Sequence, residues 1–504
     1  MAERASTFEP PRALPCAGLQ TWRAAASIGP PRLVGAHRIT TMDETRQLAQ
    51  FAAQLQYRDL PLEVIEKAKE LALHAWGVQL AGSTLPWSGT ALRYVRALGG
   101  VAESTVINHG FKTAAEHAAF ANSCFGHGFE MDDNHAATAI KGGSVAVPVA
   151  LAIGERSGSS GRDFILATVV GYEVMTRVGL AVAVALWKSG HHATGACGPF
   201  GAAMIAGRLL GFSETQLVHA LSIAGAHASG LTESPASGRG ELKRIFAGMA
   251  AAGGIRAALL AGEGLTGPTT MLEGERGFCK TFGDESSDVG LLTAGLGREW
   301  QILCVHYKNY AQDGYVQPMT EALERLLERH RFPIDEIAEI RAGTNRHAHE
   351  HRVGLIREPQ DLTSAQFSAN FSLALFLVKG GAGFHDYSED SLRDPAIIAL
   401  SRRIHTYIDD EIEAEWQQAK LRGARITVRL KSGVTHTDCV HMMRAMTADD
   451  VNHKFRCLAS GVIGAARSEQ LLTMARNMEE VDEIRRFAPL LIAGPASSQS
   501  CRVC

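Results

Sequence analysis

The sequence predicts a mainly α protein: a large helical domain, discontinuous in sequence, with a smaller α+β domain between its two parts. Three observations carry that expectation. Of 504 residues 46% are hydrophobic, only 7% aromatic, and 51 are glycine, which suits close-packed small-residue helices better than a sandwich built on aromatic pairs. Apolar residues recur at helical spacing through much of 43–305. Strand-like alternation is confined to 306–445, and after it the helical pattern returns.

The elements follow in order. Residues 1–42 are rich in arginine, carry Pro-Pro pairs at Pro10 and Pro30, and read as neither helix nor core. They are expected to be a disordered extension ahead of a second start at Met42, with a transit peptide as the alternative. Asp59-Leu-Pro-Leu-Glu-Val64 supplies a capping Asp and an early Pro for a helix that Gly82 stops. A long helix follows Gly161, another spans 198–210, and Ser213-Glu-Thr-Gln216 is a capping box opening a helix toward Ala228. Residues 243–262 form an Ala- and Gly-rich helix.

Beyond Lys308 the pattern changes. Pro318 opens an amphipathic helix to His330, 337–342 reads as a strand, and 366–378 as a helix before Gly380-Gly381. Residues 425–430 and 434–440 alternate as strands around a Lys431-Ser-Gly433 turn. From Thr447 the chain is helical, with 469–490 as a closing helix. The expected domain plan is 1–42 extension, 43–305 first helical part, 306–445 α+β domain, 446–492 closing helical part and 493–504 flexible tail.

Composition excludes several classes of function. Lys and Arg number 50 against 53 Asp and Glu, a net charge of -3, so no global field favours nucleic acid or an anionic membrane. The most apolar run, 164–187, contains Glu173, Thr176 and Arg177, which makes it a core helix rather than a span. The 9 cysteines are scattered, with Cys501 and Cys504 the sole C-x-x-C pair, so no zinc or iron–sulfur framework is expected and the thiols read as buried and reduced. A cytoplasmic location is expected, with organellar targeting by 1–41 as the alternative. Arg502 in the first aliphatic slot argues against prenylation of Cys501. There is no Walker loop, Rossmann fingerprint or Gly-x-Ser-x-Gly elbow.

Candidate chemistry lies in six places. Phe129-Glu-Met-Asp-Asp-Asn-His135, flanked by His127, gathers three carboxylates and a His; it reads equally as an acid–base or metal cluster and as a surface loop. Lys141-Gly-Gly143 offers backbone NH groups to an oxyanion, or is an ordinary turn. Gly190-His-His-Ala-Thr-Gly195 sits before a helix N-terminus, where a His pKa falls and a neutral base is favoured. Lys243 and Arg244 enter an apolar helix, where first-turn cations oppose the dipole and point to an anion partner. His306-Tyr-Lys308-Asn-Tyr310 falls between the two domains, a common place for ligand clefts. His347, His349 and His351 share a side if extended, but no carboxylate or Cys ligand accompanies them.

Taken together, these segments resemble the MmgE/PrpD family, which includes 2-methylcitrate dehydratase, cis-aconitate decarboxylase and an epimerase of iminodisuccinate. Glu130-Met-Asp-Asp133 is similar to the family's acidic segment, 145–152 to its Val-x-x-Pro-Ala-Leu-Ala stretch and 190–203 to its Gly-x-His-x-Thr-Gly segment. Leu209-Leu-Gly-Phe-Ser213, Leu242-Lys-Arg-Ile-Phe-Ala-Gly248, 273–278 and Tyr307-Lys308 continue the series. The resemblance implies an all-helical domain split around an α+β lid, a homodimer, and no metal or organic cofactor. It also implies that Glu130 and Asp132 are acidic site positions, His192 the central His, Lys243 and Lys308 two site lysines with Arg244 beside the first, and His347 a lid position.

Three imidazoles of that pattern are exchanged. Lys141-Gly142 stands where relatives usually carry His-Pro, Phe246 where they often carry His, and Gln317 where another His is common. The leading expectation is a lyase acting on a small di- or tricarboxylate. His192 would move the proton, Lys141, Lys243 and Lys308 would hold carboxylates, and Glu130 or Asp132 would orient His192 or water. The alternatives are epimerisation of an aminopolycarboxylate, with Lys141 as a second base, and a carboxylate-binding relative without catalysis.

Overall fold

A computed structural model describes residues 43–233, 241–419 and 421–493. The expectations for 1–42, for Gly238 to Gly240 and for the tail at Cys501 fall outside the described residues. The helices of ten residues or more are α1 (Glu44–Gln54), α2 (Leu62–Gly82), α3 (Ser88–Leu98), α4 (Ala115–His127), α5 (Gly143–Ser157), α6 (Gly161–Lys188), α7 (Ala193–Leu209), α8 (Glu214–Ala224), α9 (Phe246–Gly262), α10 (Gln317–His330), α11 (Ala369–Lys379), α12 (Asp410–Ala419), α13 (Ala448–Ile463) and α14 (Ala465–Arg476).

One hydrophobic core gathers residues from Leu48 to Tyr307 and then takes back Val451 to Leu491. At its centre runs α6, opened by a capping box between Ser160 and Asp163. Its interior charges are satisfied within the protein: Arg177 pairs with Glu173 at 3.1 Å one turn away and donates to the Glu299 carbonyl at 2.8 Å. The helix is long and apolar enough to cross a membrane, but 89% of its most apolar window is buried inside the protein. Gly161 opens α6 against the Met478 carbonyl, where a Cβ would have no room.

A second core, from Tyr310 to Val440, also takes in Phe129, Met131 and Leu458 from the helical side. It covers one face of a four-stranded sheet. Strands β1 (Ser104–Thr105) with β2 (Lys112–Thr113), and β3 (Asn134–His135) with β4 (Val305–His306), are two-residue antiparallel pairs. The sheet itself comprises β5 (Ile337–Thr344), β6 (Ile404–Ile408), β7 (Ala424–Leu430) and β8 (Thr435–Val440) in the order β6-β5-β7-β8. Strands β5 and β6 are parallel, and β7–β8 is the expected hairpin, with Thr427 opposite Thr437.

Several expectations are corrected. Asp59 ends a short turn, and Pro61 occupies the N-cap of α2. Helix α7 begins at Ala193, five residues before the Gly198 expected, so His192 is itself the N-cap residue. The 366–378 helix splits, because Ser368 turns to accept from Phe371 N and caps α11 afresh. The 469–490 helix also breaks: α14 stops at Arg476, and two 3-10 turns follow, Met478–Glu480 and the Pro489-containing Ile484–Leu491. His347, His349 and His351 lie on a short helix, Arg346–His351, so His349 turns to Thr406 (2.9 Å) and the trio does not converge. Cys124, Cys197 and Cys279 are buried thiols, whereas Cys457 is disulfide-bonded, against the all-thiol expectation.

Candidate active site

The acidic segment between α4 and α5 is not a surface loop. Glu130 is 3% exposed, Asp132 2% and Asp133 1%, so each carboxylate requires a partner. Glu130 holds a left-handed φ of 55°, uncommon for a residue with a side chain. That turn aims its carboxylate between two lysines: one oxygen pairs with the Lys243 ammonium, the other with Lys308 Nζ at 2.6 Å. Asp132 accepts at 2.6 Å from His127 Nδ1 and lies 3.6 Å from Lys308 Nζ. Asp133 accepts from the Tyr172 hydroxyl at 2.8 Å and from Gly143 N at 2.9 Å. The anion received by the Gly-Gly backbone is therefore Asp133.

The lysines arrive from three directions. Lys243 lies in a 3-10 turn, Glu241–Ile245, ahead of α9 rather than in its first turn, and its counter-ion is Glu130. Lys308 follows β4, on a stretch braced by Gln317, whose Oε1 accepts from Asn309 N at 3.1 Å and whose Nε2 donates to Tyr310 O at 2.7 Å. Lys141 Nζ donates to Asn134 Oδ1 and to Ala139 O at 2.9 Å, while its backbone N donates to Thr194 Oγ1 at 3.0 Å. Burial, then repulsion from Lys308, pushes Lys141 down to about 7. The same two causes lower Lys243 well below the ordinary lysine value, and burial lowers Lys308.

His192 is fixed by its backbone N donating to Gly230 O at 2.8 Å. Its ring sits 4.9 Å from Phe246, expected from the resemblance to stand where relatives often carry His, and edge-on to His127 at 5.3 Å. Its Nδ1 is buried and has no hydrogen-bond partner among the described residues. Burial, then the neighbouring His127 and Lys141, hold its pKa well below the usual imidazole value, so the ring is neutral. Burial and Lys243 likewise push His127 down to about 4. Burial raises Asp133 to about 6; for Asp132, burial acts upward but Lys308 and His127 outweigh it and hold the group low.

The α+β side closes the cluster. Arg352 donates to Asp313 at 2.8 Å and lowers the pKa of both His192 and Lys243. Arg422 lies 5.0 Å from the Tyr315 ring centre and lowers Lys141 and Lys308. His347 is half-buried at this edge, 5.8 Å from the Tyr315 ring, and burial with Arg352 pushes it down to about 4.

Two placements differ from the sequence expectation. Asp132 is bonded to His127 rather than His192, and Glu130 is locked between two lysines, so neither carboxylate orients His192. Arg244 points elsewhere, its guanidinium 3.5 Å above Trp87 and bonded to Thr363 Oγ1. The sequence reading missed Asp313, Arg352, Arg422 and the role of His127. His127 flanks the acidic segment and was visible there, but the other three belong to no local pattern. Among the described residues, the His, Cys, Asp and Glu side chains that converge as metal ligands do are Glu411, Glu415 and His441, outside this cluster.

A helical body carrying a basic, buried cluster under an α+β cover defines a class that sequence comparison identifies. Residues 46–288 match the MmgE/PrpD N-terminal domain and residues 310–480 the MmgE/PrpD C-terminal domain, so the chain belongs to the MmgE/PrpD family. It is 29% identical over 474 residues to the cis-aconitate decarboxylase-like protein oryM of Aspergillus oryzae, covering 89% of this chain and 97% of that one. It is 27% identical over 472 residues to the cis-aconitate decarboxylase of Aspergillus terreus, covering 89% and 95%. With the cis-aconitate decarboxylase of Homo sapiens it shares 26% over 451 residues, covering 86% and 91%.

Proposed function

We propose that the protein is a lyase for a small di- or tricarboxylate, decarboxylating a cis-aconitate-like substrate without a cofactor. The observation that carries this reading is the excess of cations around a neutral imidazole: Lys141, Lys243, Lys308, Arg352 and Arg422 against Glu130, Asp132, Asp133 and Asp313, with His192 among them. A substrate carboxylate competes with Glu130 for Lys243 and Lys308. In a decarboxylation the C–C bond to one carboxylate breaks, CO2 leaves, and the electron pair spreads into the adjoining unsaturated carboxylate. Low-dielectric cations stabilise that charge far more than water does. A proton must then reach carbon. Lys141, held near 7, is the source of that proton, about as acidic as an ordinary imidazole, and neutral His192 passes it to the carbon by accepting at one ring nitrogen while releasing from the other.

A second reading is favoured by the same Lys141. A lysine that is neutral near pH 7 is a base, and with His192 it forms the two-base pair an aminopolycarboxylate epimerase needs. Proton NMR in heavy water with cis-aconitate, citrate, 2-methylcitrate and iminodisuccinate distinguishes the two. A new alkene with loss of CO2 is expected. Deuterium uptake with inversion and no elimination would establish the epimerase, and no change in any substrate would remove both readings. Pairing of two copies is proposed on the family resemblance, and sedimentation velocity showing a monomer at micromolar concentration would overturn it.

A further inference from the structure

Helix α13 places a lysine behind the site at a position no sequence motif marks. Lys454 is 8% exposed, and its ammonium meets three acceptors: His74 Nε2 at 2.9 Å, Met131 O at 3.0 Å and Lys308 O at 2.9 Å. An ammonium has three donors and no acceptor, so these partners complete it. They come from α2, from the acidic segment and from the stretch after β4. Met131 separates Glu130 from Asp132, and Lys308 is the residue whose side chain meets both carboxylates. One side chain thus joins the backbone that carries the carboxylates to the backbone that carries their counter-ion. His74 is held in turn by the Tyr307 ring, 4.6 Å away. Burial and Lys308 push Lys454 down to about 7, while Asp132 and Asp133 act in the other direction.

We propose that Lys454 is a positioning residue: its ammonium sets the separation of the Met131 and Lys308 carbonyls, and through them the register in which Glu130, Asp132 and Lys308 meet the substrate. Lys454 itself touches no reacting atom. The activity readout of this proposal rests on the lyase reading, so the test carries another that does not.

The test uses the full chain at pH 6.5, with variants Lys454→Met and Lys454→Ala. A displacement of about 1 Å in a catalytic group costs on the order of 100-fold in rate, and a kcat loss of that order is expected in Lys454→Met, with a cooperative melting transition retained. Citrate affinity measured by calorimetry should fall about tenfold. Propylammonium should restore much of the Lys454→Ala loss, whereas tetramethylammonium at equal ionic strength, which has no N–H donors, should not. In the wild type, nitrogen-15 NMR should show His74 Nε2 unprotonated and accepting. Normal turnover and citrate affinity in Lys454→Met would overturn the proposal, as would equal effects of the two ammonium salts or a protonated His74 Nε2. A wild type that neither turns over nor binds a tricarboxylate would remove the lyase reading. The His74 signal would still decide whether the ammonium holds its place, as it would if the variants did not fold.

Discussion

His192 and Lys141 carry opposite demands, and each can be tested alone. In the proposed reaction His192 works as a neutral ring through its unpartnered Nδ1, and on that reading His192→Ala is expected to lower kcat by about 10²–10⁴-fold without lowering the melting temperature by more than a few degrees. Turnover within a few-fold of wild type would exclude His192 from the chemistry. Lys141 donates only while protonated, so kcat/KM should fall as pH rises through about 7. Lys141→His should keep an alkaline limb near neutrality, and Lys141→Met should abolish it together with most of the rate. A profile unchanged in Lys141→Met would show that another group titrates.

The elements that hold these residues tolerate little change at their ends. Gly142 precedes α5 with the Tyr172 ring where a Cβ would stand, and a Cβ at Gly143 would be 2.8 Å from Asp133 Oδ1. Gly142→Ala should therefore cost about 1–3 kcal/mol by overpacking and displace Lys141 next to it, read as a lower urea midpoint together with a higher KM. Thr447 opens α13 with a capping box to Asp450. Removing it in Thr447→Ala should cost about 1 kcal/mol, most visibly as faster amide exchange in the first turn of α13. Equal exchange in both proteins would show that tertiary packing alone sets that helix end.

For the whole molecule, buried bases fix how stability depends on pH. His127, His135 and His347 have folded values near 4, below their unfolded value of 6.5, and Lys141 and Lys454 near 7, below 10.5. Each binds protons more weakly when folded, so its contribution is full above the unfolded value and is lost as pH falls toward the folded one. Asp133, raised from 3.8 to about 6, acts oppositely: its contribution is full below 3.8 and is lost as pH rises through about 6. Between pH 8 and 6 the bases dominate, and calorimetry should show the melting temperature falling as pH is lowered across that window. A flat or inverted trend would mean these groups are hydrated. Dialysis against EDTA should leave turnover unchanged if the reaction runs without a metal, and loss of activity restored by a divalent cation would reverse that expectation.

By itself the sequence determined the helical class, the β7–β8 hairpin, and the segments bearing Glu130, Lys141, His192, Lys243 and Lys308, because periodicity, capping residues and motif order are local properties of the chain. The family resemblance marked Phe246 as a position where relatives often carry His, and Phe246 lies against His192. Only the tertiary structure decided the partners. The sequence allowed Asp132 to orient His192, but the turn through Glu130 directs it to His127. It counted Arg244 with the site, but Trp87 takes that guanidinium. Arg422 and Lys454 stand in places with no motif and Arg352 directly follows the His347–His351 run without being marked by it, and they reach the cluster because the α+β part folds over it and α13 returns beneath it. Burial, which brings Lys141 and Lys454 to about 7 and keeps the imidazoles neutral, is a property of the assembled core and is written in no single stretch of sequence.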